Sequence, residues 1–142
     1  MAASTTLIMI AGIAQLVLVA ASLAIPHVLR WREETAGLRP LVRKLFWVYA
    51  GYIWATNLSF GLISALAPHW LLDGSPLATA VTGFITTYWG ARLAIQFVCF
   101  DRRDLPSGPW ARLAEVALVC LFGFLTLVYG SATLSNWRGS LM

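Results

Sequence analysis

Residues 6–27, "TLIMIAGIAQLVLVAASLAIPH", form an apolar stretch whose only strongly polar side chain before the final histidine is Gln15. The hydrocarbon layer of a bilayer is roughly 30 Å thick, and a helix of about 20 apolar residues crosses it. The stretch is longer than the apolar core of a signal peptide, roughly 7–15 residues, and no Lys or Arg precedes it. The sequence therefore predicts a retained transmembrane helix here.

Three further stretches of the same kind follow, at residues 45–67, 76–100 and 110–134. The whole chain has 142 residues, of which 59% are hydrophobic and 11% are charged, and its mean hydropathy is +0.75. The connections and tails are too short to form a soluble domain. We therefore expect an all-α polytopic membrane protein, a bundle of four transmembrane helices that forms a single domain over residues 1–142.

The basic residues are concentrated in two alternate connections. Those between the first and second stretches are Arg30, Arg32, Arg39, Arg43 and Lys44, and those around the link between the third and fourth are Arg102, Arg103 and Arg112. The intervening loop, "PHWLLDGSP", has none. Because cytoplasmic loops carry the excess of Lys and Arg, we expect a bacterial-type inner membrane with both termini away from the cytoplasm. This asymmetry and contact with anionic membrane lipids explain the formal charge of +4, so nucleic acid is not an expected partner.

The stretch "YWGARLAIQF", residues 88–97, carries an arginine inside the third predicted helix. Arg92 lies about 12 Å from the predicted helix end at Phe100, at 1.5 Å per residue. An arginine at the centre of a membrane helix costs at least roughly 2.5–3.5 kcal/mol, so a partner or a wet cavity is expected. Glu115 is the acidic residue available at depth in the neighbouring helix. The sequence therefore predicts an ion pair between Arg92 and Glu115.

Other polar side chains fall at similar predicted depths: Gln15, Asn57, Tyr88 and Gln96. With Arg92 and Glu115 they form a predicted intramembrane cluster to which all four helices contribute. Two interpretations stay open at this point. In one, the cluster is a hydrogen-bonded clasp that fixes the helix register. In the other, it is a polar cavity in which Arg92 binds an anionic group and Glu115 exchanges a proton.

Small residues four positions apart recur in these stretches and allow neighbouring backbones to approach closely. The pairs are Gly51 with Ala55, Gly61 with Ala65, Gly83 with Thr87, and Gly90 with Ala94. We expect them to pack the helices of one chain against each other.

Several chemistries are not expected from the remaining residues. His27 and His69 belong to opposite ends of their helices, and Cys99 and Cys120 are isolated, with no CxxC motif and no metal-ligand spacing. We therefore predict no cofactor, no metal and no catalytic residue.

Three short motifs carry a resemblance to a known family. They are a first helix that ends in proline ("LAIPHVL"), a basic start to the second helix followed by a glycine ("RKLFWVYAGY"), and "GARL" in the third helix. In this layout the chain resembles small four-helix membrane proteins of the DoxX-like kind. The resemblance implies a compact four-helix fold and a role accessory to membrane redox or stress systems, and it transfers no catalytic residue.

The function expected from these observations is that of a non-enzymatic accessory or binding component of the membrane. Its polar interior would bind a lipid, a small amphiphilic or anionic ligand, or a partner protein, including a second copy of the chain. The main alternative is a small carrier or channel for an anionic or protonatable solute, and a membrane-embedded enzyme is the third.

Overall fold

The structure, a computed structural model, describes residues 2–98 and 108–140, and these ranges contain helices and turns but no strand. In chain order the helices are Ala2–Ser22 (α1), Ile25–Val28 (α2), Trp31–Glu34 (α3), Pro40–Leu66 (α4), Pro76–Val98 (α5) and Pro109–Gly139 (α6), with a 3-10 turn at Pro68–Leu71 after α4. The predicted all-α class is therefore confirmed. The predicted helix end at Phe100, and Cys99, Arg102 and Arg103, lie outside the described residues.

The first apolar stretch is interrupted near its end. α1 ends at Ser22, and α2 begins at Ile25 with Pro26 in its first turn. Proline has no N–H, and its ring collides with the carbonyl group four residues earlier, which for Pro26 belongs to Ser22. The Leu23 N–H instead bonds to the Ala20 carbonyl at 3.3 Å, in a tighter turn that ends α1.

The basic connection between α1 and α4 folds onto the start of α4. Arg30 has a φ of 48°, a left-handed conformation that is uncommon for residues other than glycine, and it turns the chain from α2 into α3. Trp31 then packs edge-on against Phe46 and Trp47, with ring centroids 5.0 and 6.1 Å away. These contacts fix α3 beside the first turns of α4. The end of the bundle that carries Arg30 and Lys44 is called the basic end below.

The end of the bundle opposite the basic end is called the loop end below. There, hydrogen bonds join the connection after α4 to the last turns of α6. The buried Asn136 side chain donates to the Leu71 carbonyl at 2.9 Å and accepts the Gly74 N–H at 3.2 Å. Asp73 accepts the Ser75 N–H at 2.8 Å. Hydrogen bonds from the Ser75 hydroxyl and N–H keep the pKa of the Asp73 carboxyl below its usual range.

The four long helices are arranged in the order α4, α1, α6, α5. α1 packs directly on α4 and α6, and α5 packs directly on α6. The backbones of α4 and α5 stay further apart. These two helices meet through aromatic rings, since the Phe60 centroid lies 5.9 Å from that of Phe84 and 5.4 Å from that of Tyr88.

The tightly packed core lies in the half of the bundle at the loop end. Its largest buried side chains include Ile8, Leu71, Ile85, Trp89, Leu125 and Tyr129. Towards the basic end, no described residue of α4 before Gly61, of α5 after Trp89 or of α6 before Phe122 is buried. The helices are therefore held together at one end and are loosely packed at the other.

The exterior of the bundle is apolar. Val17, Leu66 and Leu127 are 64%, 77% and 74% exposed, whereas helices at a water-facing surface carry polar residues on their outer side. Two helical stretches, Ser4–Val28 and Arg112–Gly139, are long and apolar enough to cross a membrane. Only 28% and 22% of their most apolar windows are buried inside the protein, unlike a core helix of a soluble bundle.

α4 and α5 are of comparable length but are less apolar. They have 27 and 23 residues, or about 40 and 35 Å. The side chains that lower the hydropathy of α4 include Arg43 and Lys44 in its first turns and, further along, Trp47, Tyr49, Tyr52, Trp54 and Asn57. Trp and Tyr are common near membrane surfaces. That α4 and α5 cross the membrane is therefore a proposal.

α1 and α4 approach each other closely at Gly12. A Cβ atom at this position would lie 2.5 Å from the Ala65 backbone nitrogen and 2.8 Å from the Ser64 carbonyl carbon. On the facing side, Gly61 lies against the Leu16 side chain. The predicted small pair Gly61 and Ala65 therefore packs helices within one chain. By contrast, a Cβ at Gly51 would meet nothing within 4 Å.

Gly12→Ala is expected to lower the thermal midpoint of the purified protein in detergent. The added methyl group must push backbone aside, and overpacking typically costs about 1–3 kcal/mol. Gly51→Ala is the matched control, because its methyl group has no neighbour within 4 Å and alanine favours a helix over glycine by about 1 kcal/mol. Equal midpoints for Gly12→Ala and the parent would contradict the close packing of α1 on α4.

Candidate functional site

Four polar side chains meet in the packed half of the bundle, one from each long helix, and are named here the hub: Gln15, Ser64, Trp89 and Tyr129. Gln15 Nε2 donates to the Tyr129 hydroxyl at 2.5 Å, and that hydroxyl lies 2.5 Å from Ser64 Oγ. Trp89 Nε1 donates to Gln15 Oε1 at 3.3 Å. All four side chains are almost completely buried. The hub therefore joins all four long helices through hydrogen bonds.

The hub leaves little hydrogen-bonding capacity unused. Gln15 Nε2 also lies 3.4 Å from the Ala11 carbonyl, so both ends of the amide are engaged. A tyrosine hydroxyl has one proton, so when it accepts from Gln15 it can donate to Ser64. An unpaired polar group in an apolar interior costs up to several kcal/mol, and these bonds avoid that cost. The clasp interpretation thus describes the surroundings of Gln15, with partners that differ from the predicted ones.

Three members of the hub were missed by sequence reasoning. Trp89 and Tyr129 carried a usable signal, because each lies far inside an apolar stretch although Trp and Tyr usually prefer membrane boundaries. A buried Trp N–H or Tyr hydroxyl usually has a hydrogen-bond partner. Ser64 carried no such signal, since serine is common among the small residues of membrane helices.

A second polar group lies nearer the basic end and is named here the α4–α5 seam: Asn57 on α4 with Tyr88 and Arg92 on α5, together with Trp54 one turn before Asn57 on α4. Asn57 lies beside the Tyr88 hydroxyl, and Arg92, one turn along α5, is within electrostatic range of the same hydroxyl. α4 and α5 are antiparallel, so the contact of Asn57 with Tyr88 places Trp54 level with Arg92. Three predicted cluster residues, Asn57, Tyr88 and Arg92, are therefore brought together.

The seam contains two buried polar atoms that are not satisfied. Trp54 Nε1 and Asn57 Oδ1 have no hydrogen-bond partner within residues 2–98 and 108–140. Most buried polar groups in proteins are paired, and leaving one unpaired costs about 1–3 kcal/mol. An indole N–H can only donate and an amide oxygen can only accept. The seam thus contains one vacant donor and one vacant acceptor on α4, both enclosed by the protein, at about the level of Arg92 on α5.

Arg92 is exposed on the surface of the bundle, and its side chain lies over a ring of α6. Its Cζ atom is 5.9 Å from the centroid of Phe122, which also stacks on Trp89 at 5.3 Å. Among the described residues the only ion pair is Arg30 with Glu33, at 3.4 Å. The predicted ion pair of Arg92 with Glu115 is therefore corrected to a cation–π contact with Phe122.

The register of α5 against α6 explains the correction. Three facing pairs fix this register: Gly83 with Thr133, Thr86 with Gly130, and Gly90 with Thr126. Phe124 then lies level with Arg92, and Glu115 lies about nine residues, or about 13 Å, nearer the start of α6, towards the basic end. The predicted depths of Arg92 and Glu115 depend on the ends of the apolar stretches. The packing of glycine against threonine sets the register instead.

Gln96 and Glu115 remain apart from both groups. Each is partly buried, and neither makes a hydrogen bond within the described part of the chain. Gln96 lies one turn beyond Arg92 towards the basic end, whereas Glu115 lies on α6, which does not form the seam. The predicted cluster is therefore divided into Gln15 in the hub, three residues at the seam, and two others.

The polar cavity predicted around Arg92 stays a prediction. A cavity of about 170 Å³ lies instead at the loop end, between α1 and α6. Its lining includes Ser4, Ile8, Leu72 and Ser135. It contains no charged side chain, so we do not assign the predicted anion site to it.

No family model, no curated protein and no solved structure matches the chain. The resemblance to DoxX-like proteins therefore stays a prediction. The chemical argument for function rests on the seam and the hub.

Tyr129→Phe is expected to destabilise the protein by about 1 kcal/mol or more, because it leaves the Gln15 N–H and the Ser64 hydroxyl without their shared partner. Denaturant unfolding followed by circular dichroism in one detergent measures the effect. Tyr52→Phe is the matched control, since Tyr52 is 68% exposed. An equal change in both variants would show that the hub hydroxyl contributes nothing to stability.

Proposed function

We propose that the protein is a small integral membrane protein whose four long helices cross the bilayer, and that it is a non-enzymatic component that binds a membrane amphiphile at the α4–α5 seam. The apolar exterior and the helix lengths support four crossings. The distribution of Lys and Arg supports a cytoplasmic basic end, with both termini at the loop end on the other side.

The observation that carries the binding role is the contrast between the hub and the seam. Both are polar groups inside an apolar bundle. The hub atoms are paired with each other, whereas Trp54 Nε1 and Asn57 Oδ1 at the seam are buried without partners. A protein that needed only a structural clasp already has one in the hub. The unpaired seam atoms are best explained by a ligand that supplies their partners.

The position of the seam favours an amphiphile over a water-soluble ligand. Arg92 and Phe84 are exposed on the outer surface of α5, so Arg92 faces the surrounding lipid, and side-chain movement would let a ligand bound there reach the buried Trp54 and Asn57 atoms. A ligand there would place a polar group against Trp54 and Asn57 and an apolar tail along the apolar exterior. This arrangement also supports an accessory role of the kind that the DoxX-like resemblance implies.

The packed half of the bundle argues against a carrier or channel. A solute that crossed from the seam to the loop end would have to pass the level of the hub, where Trp89, Tyr129 and Leu125 are almost completely buried. Interiors packed in this way contain few voids that can hold even a water molecule. A binding role requires no such path.

Trp54→Phe and Asn57→Leu test the seam. Each removes an unpaired polar atom. Asn57→Leu also keeps a similar volume, so it is expected to fold at least as stably as the parent in detergent that has stripped bound lipid, whereas Trp54→Phe also loses one ring and is expected to fold with at most a modest loss of stability. Native mass spectrometry of protein purified in mild detergent is expected to show a retained amphiphile with the parent and loss of it with both variants.

Trp70→Phe is the matched control, because Trp70 lies in the loop-end connection and is 61% exposed; it is expected to retain the amphiphile. Retention by Trp54→Phe and Asn57→Leu at the parental level would remove the seam from consideration.

Cysteine labelling tests the orientation. In a background without Cys99 and Cys120, Ala36→Cys near the basic end is expected to be protected from an impermeant thiol reagent in intact cells, and His69→Cys at the loop end is expected to react. Both positions are exposed, so a difference in reaction reports the side of the membrane. Reaction of Ala36→Cys from outside would reverse the proposed orientation.

A further inference from the structure

We infer that the amphiphile at the seam is an anionic phospholipid from the leaflet at the basic end. Arg92 binds its phosphate, and a hydrogen-bond donor of its headgroup pairs with Asn57. This inference rests on the proposed binding function and names the ligand class of the same site.

The charge of the two helices that form the seam is the first support. α4 and α5 carry Arg43, Lys44 and Arg92 and contain no Asp or Glu. Within the described residues Arg92 has a ring face as its charge partner and no carboxylate. An arginine cannot lose its proton, so in an apolar surrounding an anion stabilises it strongly. A phosphate group suits the planar guanidinium, which can bind it through two parallel hydrogen bonds.

The unpaired atoms of Trp54 and Asn57 indicate which hydrogen-bonding groups the lipid headgroup must carry. Trp54 Nε1 needs an acceptor, which a phosphate or ester oxygen supplies. Asn57 Oδ1 needs a donor, which phosphate diester oxygens cannot supply but a headgroup hydroxyl can. Phosphatidylglycerol has a negative phosphate and hydroxyl donors, whereas phosphatidylcholine has no net charge and no donor. The polar groups of the seam therefore suit phosphatidylglycerol and do not suit phosphatidylcholine.

Polar side chains connect the seam with the basic end. Arg43 lies eleven residues before Trp54, about three helical turns, and hence on the same face of α4. Gln96 lies one turn from Arg92 on α5 in the same direction. Arg92 is also nearer to Val98 at the basic end of α5 than to Pro76 at the loop end. A headgroup from that leaflet can therefore reach Arg92 along polar side chains.

Lipid competition in nanodiscs of equal parts phosphatidylglycerol and phosphatidylcholine tests the inference, with native mass spectrometry counting the lipids that stay bound. The parent is expected to retain phosphatidylglycerol preferentially. Arg92→Gln is expected to lower that preference about tenfold, the effect of losing one charge-assisted contact. Arg112→Gln is the matched control, because Arg112 is an exposed arginine on α6, away from the seam.

Arg92→Lys keeps the charge, so it is expected to fold as the parent does and to keep part of the preference. If the parent retains the two lipids equally, or if Arg92→Gln and Arg112→Gln change the ratio alike, the anionic assignment is overturned. Displacement of the bound lipid by soluble glycerol 1-phosphate would assign the site to a soluble phosphate ester and overturn the assignment to a lipid.

Different results would refute the anionic ligand and the binding function. Loss of bound lipid in Asn57→Leu together with an unchanged lipid ratio in Arg92→Gln would refute the anionic ligand and leave the binding seam intact. Absence of any retained lipid in the parent would refute the binding function itself.

Discussion

The hydrogen bonds of the Tyr129 hydroxyl are the interaction on which the arrangement of the helices depends. Through Gln15 and Ser64 this one group connects α6 to α1 and α4, and Gln15 extends the connection to Trp89 on α5. The bonds are possible only because Gly12 lets α1 lie against the backbone of α4 at Ser64. Because apolar helix surfaces gain little from contact with each other in lipid, such bonds and close backbone contacts must select one arrangement.

The pairing of buried polar groups differs between the two halves of the bundle. At the loop end, the hub and the Asn136 bonds to the connection after α4 satisfy the buried polar groups and fix the helix positions. Towards the basic end, α4 and α5 are separated by side chains and leave Trp54 and Asn57 unpaired. The packed half at the loop end can stabilise the fold although polar atoms at the basic end are unpaired. Its own hydrogen bonds and packing offset the cost of those unpaired atoms. The hub thus fixes the helices that carry the proposed binding seam.

The sequence identified several polar residues of the hub and the seam but not their partners. Gln15, Asn57, Tyr88 and Arg92 were all recognisable as polar side chains in apolar stretches, and all four have a place in the hub or the seam. The pairing of Arg92 with Glu115 was wrong because it was inferred from depth alone. Trp89 and Tyr129 could have been found from their positions far from any predicted boundary, whereas nothing local distinguished Ser64 from other small residues.

The sequence by itself determined the all-helical class, the end of the first helix near Pro26, the apolar stretches and the concentration of basic residues in alternate connections. These properties follow from local chemistry: the 3.6-residue period, the missing proline N–H and the hydropathy of each stretch. Only the tertiary structure decided which polar groups meet. That choice depends on how far each helix is shifted along its neighbour, which apolar stretches do not specify. It is set by contacts such as Gly12 with Ser64 and Gly90 with Thr126, between residues far apart in the chain.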